Sequence, residues 1–210
     1  MFRLILRLAL LPLLSLSTTL LSIRAQPYDG REVRALLLPD DCSQLCFMGI
    51  QPGVTSPQQA LRQLRSSDLI SHVGVSESLE TVAWFWNKKT LTLMDDTQIS
   101  GLFYDRDEVS SIRLYTRIRL GDLLLELDQT SNHRVAIRQT VPYDSYNMDL
   151  YYLGDGYVLN AVVNCHSFWT QPTLLILGVR PQFIESRGRI TNSLNHAKHL
   201  IAVACRRRSE

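Results

Sequence analysis

GIQPGVTSPQQALRQL, residues 49–64, reads as a turn that feeds a capped helix. Pro52-Gly53 is a turn signal, because glycine reaches backbone conformations that other residues avoid. Ser56 is placed to cap a helix, Pro57 suits the first helical position, and Gln59 completes a capping-box pattern. Ala60, Leu61 and Leu64 share one face while Arg62 and Arg65 point away, so the spacing predicts a helix ending near Ser66-Ser67. RIRLGDLLLELDQ, residues 117–129, repeats the device with Ile118 over Ile50 and Gly121 over Gly53. Asp122 is placed to cap a second short helix through Leu127. Gly53 and Gly121 are thus expected to be structural turns.

After each helix the hydrophobic period changes to alternation. TVAWFWN, TLTLMDD, ISGLFYD and VSSIRLYT, from Thr81 onward, are strand candidates. Asn87-Lys88-Lys89, Asp95-Asp96-Thr97 and Arg106-Asp107-Glu108 are the turns between them. RVAIRQTV, NMDLYYL, YVLNAVVNC and TLLILGV follow the second helix, with Gly154-Asp155-Gly156 a hairpin signal. The expected fold is α+β: two tandem units, each a short helix packed on an antiparallel meander sheet. The boundaries are a signal peptide or N-terminal anchor at 1–25, a spacer at 26–46, repeats at 47–117 and 118–179, and a basic C-terminal tail at 180–210.

The first 25 residues carry three arginines and no acid, and Leu8–Ile23 is an uncharged Leu-rich run ending near the small-residue site IRA. That is the build of an export signal, and the run is short of the roughly 20 residues a spanning helix needs. The chain is therefore expected outside the cytoplasm, extracellular or in the cell envelope, with retention as an N-terminal anchor the alternative. Residues 26–179 hold 12 basic and 18 acidic side chains, while 180–210 hold seven basic and two acidic ones. An acidic body argues against nucleic acid as partner. Membrane contact would run through the N-terminal segment or the basic tail, CRRRSE at its end.

Four cysteines, Cys42, Cys46, Cys165 and Cys205, allow three disulfide pairings in an exported chain. The closeness of Cys42 and Cys46 favours a local bridge, leaving Cys165 with Cys205. Asp40 and Asp41 oppose a thiolate beside Cys42, since negative neighbours raise a thiol pKa.

No nucleophile elbow, zinc-protease motif, phosphate loop or dinucleotide turn is present, and the sequence assigns no catalytic residue, metal ligand or cofactor. The acidic groups Asp95-Asp96 and Asp105 to Glu108 fall at turns, where Asp is favoured for backbone reasons. His196 and His199 lie three apart on a helix candidate from Ser193 to Ala204, with no carboxylate near in sequence. Trp84 and Trp86 fit a core face. Tyr151 and Tyr152 are adjacent on a strand and must point to opposite faces, so one ring is expected outside. With Tyr146 and Tyr157 they are the candidate binding residues, because an amphipathic ring suits recognition.

The pattern Gly-hydrophobic-x-x-Gly-hydrophobic-Thr, then a helix with Gln and Leu, then a meander, resembles the SmpA/OmlA family of outer-membrane assembly lipoproteins. Gly53, Thr55, Gln58 and Leu61 carry the resemblance. The tandem copy is similar to the β-lactamase-inhibitor-protein architecture. The chain departs from the lipoproteins in lacking a lipobox cysteine and the Leu-Gly pair after the helix. What the resemblance implies is a non-catalytic extracytoplasmic module that binds another envelope or extracellular protein through an open sheet face. The alternatives are a small exported hydrolase or thiol enzyme using Cys165 with His133 or His166, and a membrane-anchored sensor domain.

Overall fold

The computed structural model describes residues 37, 42, 46–87, 92–127, 133–139, 145–152, 156–164, 167–178, 189–191 and 193–206. The proposed signal, most of the spacer, Cys165, His166, Tyr143, Lys88-Lys89, Gly154-Asp155 and the last four residues lie outside that set.

The opening stretch folds much as its local chemistry demands. Phe47 and Ile50 exchange backbone hydrogen bonds of 3.0 and 2.8 Å across a turn with positive φ at Met48 and Gly49. Positive φ at both central residues gives the twist of a type I′ turn. Gly53 also has positive φ, at 78°. Its N–H donates to the Val109 carbonyl at 2.8 Å, and the Val109 N–H returns a bond to Thr55 at 2.9 Å. Helix α1, Pro57–Ser66, follows with the Ser56 hydroxyl accepting from the Gln59 N–H at 3.3 Å. Ala60 and Leu64 are its buried residues.

The strands are β1 (Ile70–Ser76), β2 (Thr81–Trp86), β3 (Ser100–Asp105), β4 (Glu108–Arg119), β5 (His133–Gln139), β6 (Ser145–Tyr152), β7 (Tyr157–Asn164), β8 (Pro172–Leu177) and the three-residue β9 (Arg189–Thr191). Helix α2, Leu120–Leu127, follows β4, and α3, Leu194–Arg206, follows β9. The nine strands form a single sheet in the order β1-β2-β3-β4-β8-β7-β6-β5-β9, with every pairing antiparallel.

This overturns the expected pair of helix-on-sheet units. Over the described residues the fold is sheet-dominated, α1 to α3 are small, and β4 runs through the proposed boundary after residue 117. The reason is the pairing of β4 with β8, from Ile112↔Leu177 to Arg119↔Pro172, which makes one ladder of both meanders. The register shifts between Tyr115 and Arg119. There two buried threonines bridge the strands: the Thr116 hydroxyl donates to the Thr173 carbonyl at 2.7 Å and the Thr173 hydroxyl to the Ile118 carbonyl at 3.1 Å. Buried backbone acceptors need such partners wherever a ladder is interrupted.

One apolar cluster extends from Phe47 through Trp84, Leu114, Leu159 and Leu175 to Ala197 and Ile201. Phe47 stacks on Trp84 at 5.8 Å and meets Trp86 edge-on, which anchors the opening turn against β2. Residues 189–206 are not a tail: β9 pairs with β5, and α3 buries Ala197 and Ile201 in the common core. TLTLMDD is not a strand over its described residues; it contributes one bridge, Met94↔Thr116. Conversely, β1 was not among the expected strands. Among the described residues no helix is long and apolar enough to cross a membrane.

Candidate functional site

The four tyrosines do not form an exposed recognition face. Tyr151 and Tyr152 do point to opposite sides, but they are 4% and 1% exposed, so neither ring is offered to solvent. Tyr152 stacks on Tyr157 at 4.5 Å in the main core, which also takes Tyr146. Tyr151 belongs to a smaller cluster with Ala136 and Val158 on the other face. Its hydroxyl donates to Asp149 Oδ2 at 3.4 Å. The Asn160 amide donates to Asn147 Oδ1 at 2.5 Å and to the other carboxylate oxygen of Asp149. This buried carboxylate is held by a local polar network, the usual condition for keeping such a group inside.

Cys42 and Cys46 form a disulfide, the local bridge favoured by their spacing. Cys205 is also half of a disulfide. No described cysteine is free. Cys165 and His166, needed for a thiol-enzyme reading, lie outside the described residues, as does the side chain of His133. His196 and His199 are exposed on α3. Among the described residues no three His, Cys, Asp or Glu side chains gather as metal ligands.

Gly121 is not the counterpart of Gly53. It is the second residue of α2, and the helix starts directly from β4 with no turn before it. Asp122 therefore sits in the first turn of α2 and not ahead of it. The amide groups that a side chain would normally cap are satisfied from elsewhere in the chain. Leu120 N–H donates to the Gln171 carbonyl at 2.9 Å and Gly121 N–H to the Trp169 carbonyl at 3.0 Å. Unpaired N–H groups at a helix start require partners, and here the segment before β8 supplies them.

That capping places Trp169 against α2 and builds a cleft. The segment is shaped locally by Asn164, whose side-chain oxygen accepts from the Ser167 N–H at 2.8 Å and from its hydroxyl at 2.6 Å. Phe168 turns inward and packs on the core, leaving Trp169 at right angles to it, 4.7 Å between ring centroids. Gly121 lies directly beneath Trp169: a Cβ there would meet the Trp169 carbonyl oxygen at 3.4 Å and its Cβ at 3.5 Å, ordinary contact distances. From the far side Ser193 caps α3 through its hydroxyl and the His196 N–H, 3.4 Å apart, and Lys198 reaches over the Trp169 ring at 5.1 Å.

The resulting cleft has a volume of about 620 Å³ and is lined by Arg119, Asp122, Leu124, Leu125, Trp169 and Leu194, among others. Leu125 is 72% exposed and Trp169 38% exposed, so two large apolar side chains frame an open hollow. The size falls in the range of ligand and peptide pockets, roughly 300–1,000 Å³. Its lining carries one cation, Arg119, and one carboxylate, Asp122, and Lys198 lies over the Trp169 ring. A smaller recess of about 190 Å³ lies between Pro52, Gly53, Asp105, Glu108 and Gly178 on the turn side of the sheet.

Two signals in the sequence mark the cleft. Leu123-Leu124-Leu125 are three successive leucines on a helix, which spread over some 200° of its circumference, so one must face outward. Phe168-Trp169 interrupts a polar loop segment, where no strand period demands apolar side chains. Comparison with known protein families, curated proteins and solved structures finds no match for this chain.

Proposed function

We propose that this chain is an exported, non-catalytic binding module that seats an apolar segment of another envelope or extracellular protein in the cleft between α2 and α3. The observation that carries the reading is the pairing of exposed Leu125 and Trp169 around an open hollow of about 620 Å³. Large apolar side chains left open in a concavity gain free energy when covered, about 1.5–3 kcal/mol for a fully buried one. Aromatic anchors of this kind dominate protein interfaces. The Leu-rich N-terminal run with its flanking arginines supports export.

The test is capture from an envelope extract by the whole chain, compared with Trp169→Ala and Leu125→Asp. Both side chains are exposed, so both variants should unfold within a few degrees of the wild type. Wild type should retain a reproducible partner, and each variant should weaken retention at least tenfold. Equal retention by all three proteins would discard the cleft as the binding site. Turnover in a broad hydrolase screen, without specific capture, would overturn the non-catalytic reading.

A further inference from the structure

The edge of the sheet at β1 carries an inference independent of the cleft. Among the described residues β1 pairs only with β2, so one side of its backbone is unpaired. Natural edge strands are guarded by charge, proline, brevity or a bulge, because an unguarded edge templates another strand. ISHVGVS has neither charged residue nor proline. Its single irregularity falls between Ile70 and His72, and the ladder from His72 to Ser76 is regular.

The side chains on this edge also lack a neighbour. Val75 pairs with Val82, which is 2% exposed and part of the core, yet Val75 itself is 45% exposed. The difference arises because, among the described residues, no strand lies beyond Val75 to continue the apolar row. Partly buried Val73, opposite fully buried Trp84, lies in the same row.

We infer that β1 is a docking edge for a second copy of this chain, pairing antiparallel with the same strand about a two-fold axis at Gly74. The strand is complementary to its own reverse in this register. Val73 of each copy faces Val75 of the other, which supplies the missing apolar neighbour twice. Gly74 faces Gly74 at the axis, and His72 faces Ser76, so no charge is buried and no bulky pair collides. A closed two-fold contact of this type uses the same patch on both copies. Five paired residues span about 17 Å, which covers much less than the roughly 800 Å² per partner of a standard interface. The dimer is accordingly weak and concentration-dependent.

Analytical ultracentrifugation of the whole chain from micromolar to near-millimolar concentration tests this. The wild type should shift from monomer toward dimer, and Val75→Lys, which puts a charge in the seam, should weaken dimerisation at least tenfold. Val54→Lys, at a more exposed valine outside β1, should leave it unchanged. Gly74→Cys should give a covalent dimer on oxidation, since a Cβ there has open space, with nothing nearer than 4.0 Å. A wild type that stays monomeric throughout, including one that takes up an extended peptide from another protein, overturns the proposal. So does a dimer that survives Val75→Lys with folding intact.

Discussion

Replacing Gly178 by alanine should be among the most damaging single-methyl additions in the chain, and Gly53 provides its control. Both residues have positive φ, 82° and 78°, so both substitutions place an L side chain in the left-handed region. That conformation costs about 1–2 kcal/mol for a residue with a Cβ. At Gly53 nothing lies within 4 Å of the added carbon, so the backbone term stands alone. At Gly178 the new carbon would sit 2.4 Å from the Ser110 carbonyl oxygen and 2.5 Å from Pro52 Cβ. Neither is a flexible side-chain end that can swing away. Gly178 N–H is also bonded to the Gly156 carbonyl at 2.7 Å, which ties it to the β7 start and limits retreat. Forcing an extra carbon into a filled space costs about 1–3 kcal/mol. The expected loss is therefore about 1–2 kcal/mol for Gly53→Ala and about 2–5 kcal/mol for Gly178→Ala. Urea unfolding followed by circular dichroism measures both, with an unchanged slope showing that the unfolded state is comparable. Equal midpoints for the two variants would refute the steric reasoning, because the backbone cost is common to both.

Gly121→Ala should run the other way, holding or raising stability by up to about 1 kcal/mol, because glycine is a poor helix residue and the new Cβ meets Trp169 at ordinary contact distance; thermal unfolding decides it. Trp84→Phe should be milder than Trp86→Phe by about 1 kcal/mol in the same assay. The Trp86 indole N–H donates to the Ser100 hydroxyl at 3.2 Å, whereas the buried Trp84 N–H has no acceptor among the described residues. The Asp95 carboxyl is held below its usual range, first by the Thr97 hydroxyl at 2.6 Å, then by the Thr97 N–H and the Arg117 charge. A depressed folded-state pKa contributes stability above the unfolded value that is lost as pH falls through the folded one. Thr97→Val should therefore raise the Asp95 pKa in an NMR titration and soften the stability decline below about pH 4.

Local chemistry was legible where it was also sufficient. Ser56, Pro57 and Gln59 identify α1 because a cap acts over three residues and needs nothing distant. Trp84 and Trp86 show their common face because β2 keeps a strict period of two. Gly121 misled, since a helix start capped by the Trp169 and Gln171 carbonyls needs no capping residue of its own. The two meanders read as separate units because pattern within a strand says nothing about which strand lies beside it. The pairing of β4 with β8 decides that. β1 escaped notice because an edge strand, half open on both faces, has no clear alternation to detect. Adjacent positions put Tyr151 and Tyr152 on opposite faces, but burial of Tyr151 depends on closure of the second face, which strand period does not encode.

The seam between β4 and β8 also dictates a timetable for the growing chain. Thr116 and Thr173, which hold its centre, are 57 residues apart. At synthesis rates of about 5–20 residues per second, β4 waits roughly 3–11 s for its central partner to be made. Through that interval β1 to β4 can already have zipped together, because they are consecutive in the chain and each pairs with the next. The middle of the finished sheet is for that time its outer border, rich in Ile112, Leu114 and Ile118. A chaperone that acts on this protein during biosynthesis would thus find the buried row of β4 uncovered at a stage that the mature molecule conceals.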